Sequence, residues 1–172
     1  MLKIYCSIQL VVLLAINSLA QVQDSDLTKD ILKGAIDFHI HSSPDVVERS
    51  VDDLGAAESS AKRGLKAIVL KNHVSSTAAR AQTSNSSSSG TIGSRGVVPN
   101  HAVCGINSSA VDAMVKMSPD YGKVVWFPTM DAVHHMATFG IKGDGLSVFL
   151  NNELSNETIR VLQIIAAKKL VL

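Results

Sequence analysis

Gly34-Ala35-Ile36-Asp37-Phe38-His39-Ile40-His41 is the stretch on which the fold turns. Gly34 closes a short amphipathic run over residues 26–33, and from Ala35 to Ile40 the spacing of apolar residues changes from helical to extended. Residues two apart on a strand share a face and lie about 6.6 Å apart along it. His39 and His41 are therefore expected to point one way and Phe38 and Ile40 the other, toward covering helices, with Asp37 supporting the segment. Two imidazoles so placed can converge on one ion, and imidazole nitrogen suits zinc or another divalent metal. Histidines at this spacing also occur on strands as packed or hydrogen-bonded residues, so spacing alone leaves both readings open.

The pattern repeats outward from this strand. Ser50 is placed to cap a helix with Asp52 and Asp53 in its first turn and Leu54, Ala57 and Ala61 on one face, and Gly64 stops it. Leu65 to Leu70 follows with little alternation, as in a parallel sheet covered on both faces. The serine-rich stretch 83–96 reads as a flexible loop. Val97-Val98 is a short strand ended by Pro99, and Ser109 with Asp112 forms a capping box for a helix to Met117. Pro119-Asp120-Tyr121-Gly122 turns the chain into a strand, Lys123 to Phe127. Ser155 caps a last helix through Lys169, and Leu170-Val171-Leu172 begins a fifth strand. Such alternation predicts a parallel α/β fold, open or closed. Polar residues cluster just after successive strands: His39 and His41, Lys71 to His73, Asn100-His101, then Asp131 with His134-His135. That placement favours the shared carboxyl-terminal rim of a barrel. The expectation is a partial (β/α)8 TIM-type barrel of about four strands plus the start of a fifth, one that stops before it could close.

Residues 34–45, opening Gly34-Ala35-Ile36-Asp37-Phe38-His39-Ile40-His41, resemble the start of an amidohydrolase-superfamily barrel. Ala67-Ile68-Val69-Leu70-Lys71-Asn72-His73, Ala110-Val111-Asp112-Ala113 and Lys123 to Asp131 with His134-His135 resemble an uncharacterised amidohydrolase-related family. The resemblance implies a distorted (β/α)8 barrel, a metal centre with His39 and His41 as ligands, and hydrolysis of an amide, ester or related bond. Lys71, at the useful end of the second strand, would hold an anionic substrate or an oxygen ligand, or else simply pair with an acid. His73, Asn100, His101 and His134 would contact substrate or support a ligand, and Asp131 is a weak stand-in for the proton-handling aspartate. If His134 and His135 begin a helix they diverge by about 100° and cannot share an ion. Cys104 stands where the resembling proteins tend to carry a glycine.

Bulk properties narrow the partners. Lys3, the apolar run from Ile8 to Ile16 and Ser18-Leu19-Ala20 form a secretory-leader pattern over residues 1–20, which leaves 21–172 as one domain. The run is shorter than the roughly 20 residues that span a bilayer, so no stable membrane span is expected. Without the leader, Lys3 and Cys6 are gone, and 15 basic balance 15 acidic side chains. With no field of one sign, nucleic acid is not expected as a partner. Cys104 alone cannot staple the fold. Asn85, Asn107 and Asn156 begin acceptor triplets for N-glycosylation in a secreted chain.

The function expected is thus metal-dependent hydrolysis of a small molecule, with zinc the metal if a site forms, and with little turnover because the distal half of a barrel is missing. The alternative is a secreted, noncatalytic fragment or interaction protein that self-associates through exposed strand edges. An open-sheet enzyme with another cofactor is disfavoured, since no glycine-rich phosphate loop follows a strand.

Overall fold

A computed structural model describes residues 26–87, 92–117 and 122–172. The leader read over residues 1–20 and the Pro119-Asp120-Tyr121 turn lie outside the described residues, and of the proposed glycosylation sites Asn85 has no described side chain. The chain divides into two units, Met1–Leu32 and Lys33–Leu172. In the first, α1 spans Asp26–Leu32. The second runs β1 (Ile36–His41), α2 (Asp53–Lys62), β2 (Ala67–Lys71), α3 (Ala78–Ser87), β3 (Ile92–Val97), a 3-10 turn (His101–Val103) and α4 (Ser108–Lys116). It continues through β4 (Gly122–Val125), α5 (Val133–Phe139), β5 (Phe149–Leu150), β6 (Glu153–Leu154) and α6 (Asn156–Ala167).

The larger sheet is parallel, in the order β1-β2-β3-β4. It is stepped: β3 pairs with β2 through Ile92 to Ser94 and with β4 through Arg95 to Val97. Val171 adds one parallel bridge beyond β4, its carbonyl accepting from Val125 N at 2.9 Å. Asn151 and Asn152, both at positive φ, turn β5 into β6 as a separate antiparallel hairpin, the conformation a two-residue hairpin loop requires.

The expected partial TIM-type barrel is not what forms. Among the described residues β1 is hydrogen-bonded along one edge only, and neither sheet curls toward closure. Polar residues gather at the carboxyl ends of parallel strands in open sheets as well as in barrels, so their placement does not distinguish the two. The expected loop over 83–96 is also largely regular structure, since α3 continues to Ser87 and β3 begins at Ile92. Apolar periodicity is blind to both, because α3 is built mainly of small and polar residues.

Side-chain alternation and register assign the two faces of the sheet. Ile68 and Leu70 pack with Ala56 and Ala57 of α2 and Ala81 of α3. Val97 and Val125 pack with Val111 and Met114 of α4 and Val161 and Ile165 of α6. Each fully buried Val, Ile or Leu contributes about 1.5–3 kcal/mol of transfer free energy, so these two clusters hold the helices to the sheet. Caps fix where the helices begin. Asp52, rather than Ser50, accepts from Gly55 N at 2.7 Å, and Asn107, rather than Ser109, accepts from the first turn of α4. Ser155 caps α6 as its sequence predicts, accepting from Thr158 N. His41, aligned with Lys71, lies on the opposite face from Leu70.

Candidate functional site

His39, His41, Lys71 and Trp126 meet on the face away from the helix-packed clusters, and His73 joins them from the loop after β2. A bulge in β1 between Asp37 and Ile40 lets His39 and His41 lean together, Nε2 to Nε2 at 3.2 Å. His41 stacks on His73 with ring centroids 4.7 Å apart. His39 lies 6.1 Å from the Trp126 ring, and the Lys71 ammonium sits 5.2 Å above that ring's centroid. One glycine makes this possible. A Cβ on Gly96 would lie 2.1 Å from the Trp126 ring, so only glycine lets the indole cross β3 toward Lys71.

Hydrogen bonds assign the tautomers of the pair. Arg49 Nη2 donates to His41 Nδ1 at 3.3 Å, so the His41 proton is on Nε2 and donates to His39 Nε2. Arg49 is itself held by Asp45, through Nε and Nη2 at 2.9 and 2.7 Å. The Asp45 carboxylate lies 3.7 Å from His41, but this is no ion pair at neutral pH, because His41 is neutral there. Burial first, then the charges of Arg49 and the neighbouring cluster, push His41 down to about 4. Burial and Lys71 also lower His39, against the opposing pull of Asp37. For His73, burial and Lys71 likewise outweigh Asp45. Burial alone lowers Lys71. It pushes Asp45 up, yet the hydrogen bonds from Arg49 and Val46 N and the Arg49 charge more than reverse this.

The loops around the cluster are tied by two buried asparagines. Asn72 donates to Pro44 O and accepts from Val74 N and Ser75 Oγ, joining the loops after β1 and β2. Asn100 donates to His73 O and Thr129 Oγ1 and accepts from Thr129 N and Asp131 N, joining the loops after β2, β3 and β4. The Thr129 hydroxyl reaches His73 Nδ1 at 2.9 Å. Beside this, Arg80 grips Asp53 and the carbonyls of Ser42 and Pro44, fixing the turn after β1.

The remaining sequence candidates lie apart from the cluster in their bonding. Asp131 Oδ2 accepts from His101 N at 2.7 Å, and the His101 ring meets Asp144 O at 2.7 Å, so both brace loops. His134 and His135 do begin a helix. His134 is exposed and lines a cleft with Phe127, Val133 and Leu146, while His135 packs on Phe139. Asn107 spends its side-chain oxygen on the α4 cap, and Asn156 is exposed at the start of α6. Trp126, Thr129, Arg49 and Asp45 were not singled out as site residues. The stretch 123–131 carries the first two, but nothing in its spacing marks which side chains turn inward.

The expected divalent metal, zinc included, is not supported. Among the described residues no group of three or more His, Cys, Asp or Glu side chains is placed to hold an ion. The local reason is that several of the donor atoms are committed. His41 accepts from Arg49 on one nitrogen and donates from the other, His73 is engaged by Thr129 on Nδ1, and Asp45 is neutralised by Arg49. Lys71 and Arg49 add positive charge where a cation would sit.

Comparison with curated proteins and with solved structures finds no match. A family model does match, over residues 34–172, and its description is a family of unknown function (DUF6282). The resemblance to the amidohydrolase superfamily is corrected on both counts: the matched family carries no assigned activity, and the sheet is open. With its strands, histidine cluster and rim loops all inside the matched stretch, the chain belongs to this family of unknown function.

Proposed function

We propose that the rim is a small-molecule site that hydrolyses an amide, ester or related bond by histidine acid–base chemistry, without a metal. The observation that carries this reading is the 2.9 Å contact between Thr129 Oγ1 and His73 Nδ1, a hydroxyl paired with an imidazole that is neutral at pH 7. Asn100 donates to the same oxygen, which leaves the hydroxyl proton directed at the ring. His73 takes that proton as Oγ1 bonds to the substrate's carbonyl carbon, then returns it to the leaving amine or alcohol as the old bond breaks. Water releases the acyl group by the same path. Among the described residues no carboxylate hydrogen-bonds to His73 to orient it, so turnover is expected to be low. The test is a panel of esters, lactones, amides and phosphoesters with the purified chain, with His73→Gln and with Thr129→Val. Turnover that survives a chelator and falls about 100-fold or more in both variants supports the reading. Turnover equal in all three proteins sinks it.

A second reading has its own support. Ile36 and Phe38 of the edge strand β1 are 44% and 45% exposed, an apolar strip suited to a noncatalytic, self-associating chain. Light scattering across a concentration series decides this, since a monomer at every concentration removes it. On either reading the leader pattern supports action outside the cell, and a secreted form whose first residue is Gln21 is the check. No helix among the described residues is long and apolar enough to cross a membrane.

A further inference from the structure

We propose that Lys71 anchors one small oxyanion, a carboxylate or phosphate group carried by the substrate. This rests on the reading of the rim as a small-molecule site and names the class of molecule it takes. Lys71 ends β2, the strand between β1 and β3, pairs with His41 of β1, and is only 4% exposed. Its ammonium has three protons to donate. Among the described residues its ammonium has no hydrogen bond or ion pair, and it rests on the face of Trp126.

An ammonium drawn out of water without a counter-ion carries a desolvation cost, and an indole face offsets a small part of it. The neighbouring acids do not remove the need for a counter-charge. Asp45 is spent on Arg49, and Asp37 accepts from His39 N. The three histidines that crowd Lys71 are neutral, so they add donors without adding an anion. His39, which accepts on Nε2, keeps its Nδ1 proton to offer. An oxyanion at Lys71 would satisfy the ammonium, and Trp126 would supply an apolar wall for the rest of the molecule.

The experiment titrates the full chain with acetate and, separately, with inorganic phosphate, with chloride as the ionic-strength control. Calorimetry and the ¹⁵N shift of the Lys71 amine are the two readouts. Lys71→Met removes the charge at similar length, and Lys66→Met, at an exposed lysine, is the control variant. The expected result is saturable binding of acetate, phosphate or both, a shift of the Lys71 resonance alone among the lysines, and affinity weakened about tenfold or more in Lys71→Met but not Lys66→Met. Which anion binds separates carboxylate from phosphate substrates. Should Lys71→Met not fold, the resonance of the unaltered protein still decides. The proposal is overturned if neither anion moves that resonance, or if both move all lysines alike. Anion binding without hydrolysis would keep this inference and remove the proposed function; hydrolysis untouched by Lys71→Met would do the reverse.

Discussion

Two sets of histidines share one rim but differ in kind. His39, His41 and His73 touch one another, are held neutral and surround a buried lysine. His101, His134 and His135 sit on a turn and a short helix, where they brace a carbonyl, face a cleft or pack on a phenylalanine. The difference teaches that a side chain is brought to a site by the period of its element. Two histidines two apart on a strand must share a face, and parallel register sets Lys71 beside His41. Histidines adjacent on a helix must diverge.

The sharpest way to break the first set while sparing the second is Gly96→Ala. The new methyl cannot coexist with the Trp126 ring, so the indole must leave Lys71 or β3 must shift. Overpacking of this sort costs about 3 kcal/mol, read from denaturant unfolding, and the His101 ring resonance should not move. Asn100→Ala attacks the link between the sets, since it removes bonds to His73, Thr129 and Asp131 at once. Leaving those buried groups unsatisfied is expected to cost about 2–3 kcal/mol and to loosen His73 and His101 together. Loss confined to His73 would show that the two sets are independent.

Acid titration sharpens the comparison from the other direction. His41 has a folded pKa of about 4 against 6.5 for the free side chain. Between these values the unfolded chain binds a proton that the folded chain refuses, so stability falls as pH drops from about 6.5 to about 4, then levels from this source. Discounted for the partial exposure of the ring, the full effect is on the order of 2–3 kcal/mol, and His41→Gln should flatten that part of the pH profile. A profile unchanged by the substitution would show that His41 is not held neutral by the fold.

The smallest expected effect lies beside the second set, at the end of the turn that carries His101. Cys104 closes the 3-10 turn at φ 68, a left-handed conformation that costs a non-glycine residue about 1 kcal/mol. Cys104→Gly should therefore stabilise the chain by about 0.5–1 kcal/mol, measured by thermal unfolding.

Much of the first set and its scaffold is legible in the sequence. The extended β1, the apolar run before Lys71 and the Ser155 cap rest on local chemistry that a sequence displays, but Phe38, expected to face covering helices with Ile40, is 45% exposed. What it hides is non-local. Whether a parallel sheet closes depends on strand pairings that no single segment encodes, and hence an open sheet was read as part of a barrel. The metal reading failed for a similar reason. His39 and His41 do converge, but Arg49, eight residues after His41, occupies the nitrogen that a ligand would need. The Thr129 and His73 pair, 56 residues apart, depends on Asn100 from a third loop.

At the rim three neutral histidines, with His39 bonded to His41 and His41 stacked on His73, stand beside a buried ammonium. Long-range ¹H–¹⁵N correlation of the histidine rings through a pH series tests this most directly, because it reports tautomer and protonation for each ring. The expected result is His41 with its proton on Nε2, His39 with its proton on Nδ1, and His41 titrating near 4, without added metal. His41 titrating near 6.5 with mixed tautomers, or a ring spectrum rewritten by zinc, would contradict it.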